Sequence, residues 1–157
     1  MQELHGYYLE DLSVGMTSIF AKTVTEADIV MFAGVSGDTN PVHINQLFAE
    51  DSIFKGRIAH GMLSASFIST VVGTRLPGPG CIYINQNLRF RAPVKAGDTV
   101  VARATVKEIL PERRRVVLTT VCTVGETVVI DGEATMMVAK RPDPAEQRQQ
   151  AGRTAAP

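Results

Sequence analysis

The sequence predicts an α+β domain in which a curved antiparallel sheet wraps around one long central helix. A single long apolar stretch, HGMLSASFISTVVGTR, covers residues 60–75. After residue 80 the apolar residues recur with a period of two, which is typical of half-buried strands. Because strands joined by short turns pair antiparallel and need an apolar layer over one face, we expect the long helix to lie inside the curve of the sheet.

The first predicted elements are a strand and a short amphipathic helix. Residues 17–24, TSIFAKTV, resemble a strand. Thr25 then stands at a favoured N-cap position, before apolar residues at helical spacing. Those apolar residues are Ile29, Phe32 and Ala33. A second helix start is predicted at Asn40-Pro41, because Asn is a favoured N-cap and Pro is favoured at the first helical position.

The long apolar stretch predicts a helix that is buried on all sides, because apolar or small residues occupy nearly every face. The turn-forming segment TRLPGPG ends this helix. Four strands follow as an antiparallel meander, with a turn at Gly125-Glu126 before the last one. The apolar positions of the first three are Ile82, Ile84, Leu88 and Phe90, then Val100, Ala102, Ala104 and Val106, then Val116, Leu118, Cys122 and Val124.

Composition limits the classes of function. The chain has 157 residues, of which 45% are hydrophobic and 20% are charged, so one compact domain with a real core is the simplest organisation. Sixteen Lys plus Arg balance sixteen Asp plus Glu, which gives no support to nucleic-acid binding or to polybasic membrane binding. The expected partner is therefore a small molecule or another protein.

The two ends of the chain predict a cytoplasmic protein with a disordered C-terminal tail. The N-terminal residues lack the basic and apolar regions of a signal peptide, and the longest apolar stretch, 61–73, falls short of the roughly 20 residues of a membrane span. We expect the folded domain to cover residues 1–140. Residues 141–157 are polar and contain three prolines, a composition that cannot offset the entropy of ordering.

The segment SGDTNPVH, residues 36–43, carries the first candidate chemistry. A chain break at Asn40 leaves Asp38 on a loop and His43 at a helix start, so the two side chains can converge. The dipole at a helix N-terminus disfavours the imidazolium, which suits His43 to act as a general base. A plainer interpretation stays open on spacing alone, in which Asp38 is a turn residue, Asn40 a cap and His43 an exposed histidine.

A second candidate is the pair His60-Gly61, which stands just before the long helix. Free backbone N–H groups and the helix dipole can stabilise negative charge there, and Gly permits the close approach of a substrate oxygen. The alternative is a plain glycine hinge before a helix.

These residues together resemble a known family. The run FAGVSGDTNPVHINQLFA at residues 32–49, followed by HGML at 60–63, is similar to the hydratase-2 motif of MaoC-like (R)-specific enoyl-CoA hydratases. The similarity extends from about Tyr8 to about Ala139. It implies a single hot-dog domain. It also implies a homodimer, or an oligomer built from dimers, whose sheets join and whose pantetheine tunnel lies at the interface.

The resemblance assigns roles to five residues. Asp38 and His43 would jointly hold and activate a water, and the N–H of Gly61 would be an oxyanion donor. Asn40 would support the loop, and Ser69 matches a serine near the active site in some members. His5, Cys81 and Cys122 match no functional position. No His or Cys cluster has the spacing of zinc ligands, and both thiols are expected to be reduced.

The reaction that the resemblance implies is reversible syn hydration of a trans-2-enoyl-CoA to a (3R)-3-hydroxyacyl-CoA. It needs no metal and no redox cofactor, since the CoA thioester is itself the substrate. Arg89, Arg91 and Lys95 are candidates for contacts with CoA phosphates, or are simply solvated charges at strand ends.

Three alternatives remain. A (3R)-hydroxyacyl-ACP dehydratase would share the motif and differ in its carrier, and a non-catalytic acyl-thioester-binding domain would not need Asp38 and His43. A hot-dog thioesterase is also conceivable, although the loop matches the hydratase arrangement.

Overall fold

The computed structural model describes residues 4–142, and the following helices and strands lie in that range. They are β1 Thr17–Thr23, α1 Glu26–Ser36, α2 Pro41–Ile44, α3 Gln46–Asp51, α4 Gly61–Thr74, β2 Ile82–Phe90, β3 Thr99–Leu110, β4 Arg115–Val124 and β5 Thr127–Met137. The predicted helix starts at Thr25 and Asn40 are confirmed as N-caps, although α2 is only one turn long. The predicted tail falls on residues 143–157, which lie outside the described residues.

The five strands form one antiparallel sheet in the order β1-β3-β4-β5-β2. Helix α4 packs against β1, β3 and β4. The α+β class and the hot-dog arrangement, in which a curved sheet surrounds a central helix, are therefore confirmed. Within residues 4–142 no helix is long and apolar enough to cross a membrane.

The core lies between α4 and the concave face of the sheet. The predicted period of two on β3 is confirmed, because its inward side chains are almost completely buried. They are Val100, Ala102, Ala104 and Val106. The two alanines lie in the middle of this row, where short side chains let the helix approach the strand closely. Against them α4 places Leu63, Phe67, Ile68, Val71 and Val72.

Two expectations about burial are wrong. Helix α4 is not buried on all sides, because Met62 is 56% exposed and Ser66, Ser69 and Gly73 also face outwards. A sheet that curves around a helix covers only one side of it within a single chain.

Strand β2 is the second exception, since most of its residues are exposed on both faces. Ile82, Ile84 and Phe90 are 52%, 45% and 55% exposed. The strand lies at the edge of the sheet, and among the strands of residues 4–142 it pairs only with β5.

The predicted domain boundary falls next to an ordered contact. Arg141, assigned to the tail from the sequence, donates its N–H to the Glu10 carboxylate at 2.9 Å and its guanidinium pairs with Asp11. The Arg141 contact is also the main reason why the pKa of Glu10 lies below its usual value.

Candidate active site

The loop after α1 holds the carboxylate of Asp38. Gly37 ends α1 with a φ of 76°, a left-handed conformation that glycine adopts readily. The Asp38 N–H then donates to Ser36 Oγ at 3.2 Å, and Asp38 Oδ1 accepts from the Asn40 N–H at 3.2 Å. The carboxylate is thus tied to its own loop in an Asx turn, and its side chain remains exposed.

Asn40 continues this loop into α2. Its side-chain oxygen accepts from the Val42 N–H at 3.2 Å, and its backbone oxygen accepts from the His43 N–H at 2.9 Å. Asn40 itself is exposed and does not line the cavity described below. Its geometry agrees with the supporting role that the resemblance implies.

His43 lies in the single turn of α2 and is buried. Its Nδ1 lies 2.8 Å from the carbonyl oxygen of Ile58. Because a carbonyl oxygen only accepts, Nδ1 carries the hydrogen of this bond, and the neutral ring has its lone pair on Nε2. That tautomer presents Nε2 as the proton acceptor.

Gly61 begins α4, and its N–H has no acceptor within residues 4–142. Such first-turn N–H groups are available to a ligand and are favoured by the helix dipole. The aromatic ring of Phe90 packs directly on Gly61. A Cβ at position 61 would lie 2.8 Å from Cε1 of that ring, so glycine is what lets the two meet.

These groups converge on one cavity of about 430 Å³. A carboxylate oxygen of Asp38 and one ring nitrogen each of His43 and His60 lie within 4.8 Å of one another. One water that hydrogen-bonds to two groups at about 2.8 Å each can bridge atoms up to about 5.6 Å apart. Asp38 and His43 are therefore close enough to share one water. Apolar side chains form much of the remaining wall: Phe54, Ile58, Met62, Phe90, Val94, Val129 and Ile130.

Ser69 is not brought to this cavity. Its side chain is exposed, and it does not contribute to the wall. Ser64 lies in the wall instead, buried and with no hydrogen-bond partner for its hydroxyl within the described chain. Residues five apart on an α-helix point about 140° apart, so the two serines cannot face the same way.

His60 was considered from the sequence only as the residue before Gly61, and the structure shows that it makes further contacts. His60 is 2% exposed. Its Nε2 lies 2.9 Å from the backbone oxygen of Asp38, and its ring centroid lies 3.8 Å from that of His43. A histidine at an N-cap, where Ser or Asp is usual, was the available sequence signal.

Asp38, His43 and His60 also carry donor atoms of the type that divalent transition metals bind. The sequence spacing gave no sign of this cluster, which the fold assembles. Imidazoles that share one ion usually point their nitrogens at it from well-separated directions. Here the two rings overlap, with centroids 3.8 Å apart and an interplanar angle of 32°. The geometry suits a bound water better than a metal ion.

The candidate phosphate-binding cations differ in position. Arg91 lines the cavity and forms a two-pronged contact with Asp131, with Nε and one terminal nitrogen 3.0 and 2.9 Å from Oδ2. Arg89 and Lys95 are exposed and lie outside the cavity wall.

Neither cysteine offers a reactive thiolate. Burial raises the pKa of Cys122 to about 12 and also raises the pKa of the half-buried Cys81. A thiol with a raised pKa is protonated near neutral pH and is a poor nucleophile. Nucleophilic thiol catalysis therefore has no support from these two residues.

Comparison with known proteins places the chain in the class of hydro-lyases, because similar proteins are named as hydratases and dehydratases. Within that class the match is specific. The MaoC-like domain family matches residues 13–129, and the chain belongs to this family.

Named relatives support the same assignment. An (R)-specific enoyl-CoA hydratase from Rhodospirillum rubrum is 57% identical over 86% of this chain and 94% of its own length. A 3-hydroxybutyryl-CoA dehydratase from Methylorubrum extorquens is 49% identical over 98% of this chain and 99% of its own. Among solved structures, an unliganded R-hydratase from Pseudomonas aeruginosa superposes with a TM-score of 0.80 at 43% identity, covering 85% of this chain and 86% of that one.

Proposed function

We propose that the protein catalyses the reversible addition of water to a trans-2-enoyl-CoA, giving a (3R)-3-hydroxyacyl-CoA. One observation carries this proposal: the Asp38 carboxylate and a His43 ring nitrogen lie within 4.8 Å of each other, at the cavity where the Gly61 N–H is unpaired. The relatives named above carry enoyl-CoA hydratase and dehydratase activities in their names.

The thioester oxygen is the group that the Gly61 N–H would bind. Attack of water on C3 moves an electron pair onto this oxygen, and an enolate develops. A hydrogen-bond donor at a helix N-terminus stabilises that charge where it forms, which is the strongest kind of catalytic contribution such a site offers.

The proton transfer would be divided between Asp38 and His43. His43 Nε2 accepts a proton from the shared water as its oxygen bonds to C3. Asp38 delivers or relays a proton to C2, where the new C–H bond forms and the enolate collapses. The proton that His43 took from the water passes to Asp38, before or after that delivery. The elements of one water are then added across the double bond, and the protein returns to its starting protonation state.

The apolar wall would hold the acyl chain. Phe54, Ile58 and Met62 line one part of the cavity, and Val129 and Ile130 of β5 line another. No metal or redox centre is needed, because the electrophile is activated by hydrogen bonding alone. Turnover that survives exhaustive dialysis against a chelator would agree with this part of the proposal.

The decisive assay is hydration of crotonyl-CoA in deuterated water. Loss of the enoyl-thioester absorbance measures the rate, and chiral chromatography with NMR of the released 3-hydroxybutyrate gives the stereochemistry. One shared water places oxygen and deuterium on the same face, so we expect syn addition and the R product. An S product would reject the orientation implied by the family, and anti addition would reject the shared water.

The main alternative concerns the carrier of the acyl group, which is either CoA or a carrier protein. A (3R)-hydroxyacyl-ACP dehydratase would prefer the same acyl group on a carrier protein, so kcat/KM for CoA and carrier-protein thioesters distinguishes the two. A thioesterase would release free thiol from acyl-CoA, which a thiol reagent detects. A binding domain would bind the thioester and turn over neither.

We further propose a homodimer in which β2 of one chain meets β2 of a second copy. An exposed edge strand with large apolar side chains is a liability in a monomer and a template for pairing. The two edges of the sheet provide a matched test. Ile84 on β2 and Ile19 on β1 are 45% and 40% exposed. Analytical ultracentrifugation should show that I84K dissociates the protein and I19K does not.

A cytoplasmic location stays a prediction, which cell fractionation would test.

A further inference from the structure

We infer that His60 is a positioning residue that holds both Asp38 and His43 around the catalytic water. The inference rests on the proposed hydratase activity. His60 contacts the backbone of Asp38 and the ring of His43 directly and is the covalent neighbour of Gly61, so it adjoins every residue assigned to the reaction.

The first contact fixes the Asp38 loop. His60 Nε2 lies 2.9 Å from the backbone oxygen of Asp38, across 22 residues of chain. Since that oxygen only accepts, His60 donates from Nε2 and its neutral ring bears the lone pair on Nδ1. The Asp38 side chain is otherwise tied only to its own loop, through Asn40. His60 is thus the link that anchors this loop to the start of α4.

The second contact orients the His43 ring. The two imidazole centroids are 3.8 Å apart with planes tilted by 32°, and the ring of Phe32 lies 5.0 Å from that of His60. His43 is also held by its Nδ1–H bond to Ile58. One hydrogen bond leaves a ring free to pivot about the bonded atom. A flat neighbour restricts that motion and sets the direction of Nε2.

Stability alone does not account for a histidine here. Its Nδ1 is buried without a partner within residues 4–142, and an unsatisfied buried polar atom is destabilising. His60 is also the N-cap of α4 and makes no side-chain cap bond, whereas Ser or Asp at an N-cap is stabilising. The residue is unfavourable in two respects, which points to a constraint from the reaction.

Three substitutions separate the two contacts. The amide nitrogen of Gln falls near the place of a histidine Nε2, and that of Asn falls near Nδ1. H60Q therefore keeps a donor for the Asp38 backbone oxygen. H60N carries the same amide group but places its nitrogen away from that oxygen. H60F keeps a flat ring beside His43 and removes the donor. All three are compared with wild-type protein in hydration of crotonyl-CoA.

We expect kcat to fall about 100-fold in H60N and H60F, with KM changed less than about threefold, because misplaced catalytic groups slow the chemical step more than they weaken binding. H60Q should retain kcat within about tenfold of wild type. In the D38N background, H60F should cost less than about threefold, because the group that the lost donor positions is already absent. Thermal melting checks that each variant is folded.

Each failure has a distinct meaning. Wild-type protein that does not hydrate crotonyl-CoA or longer enoyl-CoAs would remove the proposed function itself. With active wild type, a folded H60F of unchanged kcat would overturn the positioning role. So would equal kcat losses in H60Q and H60N, or full additivity of H60F and D38N. A rise in KM at constant kcat would assign His60 to binding instead.

Discussion

Helices α1 and α4 begin in opposite ways. At α1, Thr25 Oγ1 accepts from the Asp28 N–H at 3.2 Å, and Asp28 Oδ2 accepts from the Thr25 N–H and hydroxyl at 2.8 and 2.7 Å. This is a closed capping box. At α4, the N-cap His60 makes no cap bond with its side chain, and the N–H of Gly61 is unpaired within the described chain.

The difference shows how one local structure serves two purposes. Unpaired backbone N–H groups at a helix start destabilise the helix, and a capping box gives some of them a hydrogen-bond partner. At α4 the same groups face a cavity, so leaving them free preserves donors for a ligand. A capping side chain at position 60 would stabilise the helix by accepting from the N–H of Met62 or Leu63, and it would place a further polar group at the end of α4 that faces the cavity. We therefore expect substitutions at the two helix starts to affect different properties.

The largest effect is expected from Asp38 and His43, the proposed acid–base pair, which line the same cavity as the start of α4. Replacing Asp38 by Asn or His43 by Gln removes proton transfer while keeping the shape, at about 10²- to 10⁴-fold in kcat for each. The double variant should lose less than the product of the two single losses, because both groups act on one water. Steady-state kinetics with crotonyl-CoA measures this. Near-normal hydration by either folded single variant would remove that residue from the mechanism.

The next largest effect tests the open helix start itself. Proline is favoured at the first helical position and has no N–H, so G61P removes the proposed donor while keeping α4. G61A adds a side chain at the same place and keeps the N–H, although its Cβ must displace the ring of Phe90. We expect kcat of G61P to be about 10²-fold below that of G61A. Equal rates for the two variants would mean that the Gly61 N–H is not an oxyanion donor.

Removing the capping box of α1 should lower the stability of the fold and leave kcat unchanged. T25A should lower the free energy of unfolding by about 1 kcal/mol, measured by urea denaturation, with kcat unchanged. The hydrogen bonds from Thr25 hold the pKa of Asp28 below its ordinary value. A depressed folded pKa stabilises the fold above the unfolded pKa, and this contribution is lost as the pH falls towards the folded pKa.

The stability difference between wild type and D28N should accordingly shrink once the pH drops below about 4. A difference that stays constant from pH 6 to pH 3 would show that the Asp28 charge does not contribute to the cap.

The smallest effect concerns the thiols, which lie outside both helix starts. Because burial raises the pKa of both cysteines, a thiol reagent at pH 8 should label neither of them in the native protein and both in denaturant. Rapid native labelling of Cys122 would show that the core opens locally. Loss of activity on slow labelling of Cys81 alone would extend the site beyond the cavity described.

Local signals predicted most of the fold. Thr25 and Asn40 are caps because of short-range hydrogen bonds, and the buried row from Val100 to Val106 follows from a period of two. The exposure of β2 depends on which strand ends the sheet. That order is set by pairing between distant segments and has no local signature.

The candidate site also combines features with a local sequence signal and features set by distant contacts. The spacing from Asp38 to His43 across a proline predicted that the two converge, and the structure brings both to one cavity. The local sequence of α4 does not show which face of the helix turns towards that cavity. The sequence therefore pointed to Ser69, whereas Ser64 lies in the wall. The contacts of His60 with residues far away in the chain were hidden for the same reason.

The cavity has two structural origins, and this separation has an evolutionary consequence. The groups assigned to proton transfer and charge stabilisation all lie between residues 38 and 61, on one continuous segment. Much of the apolar wall comes instead from strands, through Phe90, Val129 and Ile130. Mutations in those strands can reshape the space for an acyl chain without moving the acid–base groups. Descendants of this domain can therefore gain new acyl substrates through substitutions in the sheet. The segment from residue 38 to residue 61 meanwhile keeps the groups assigned to the reaction.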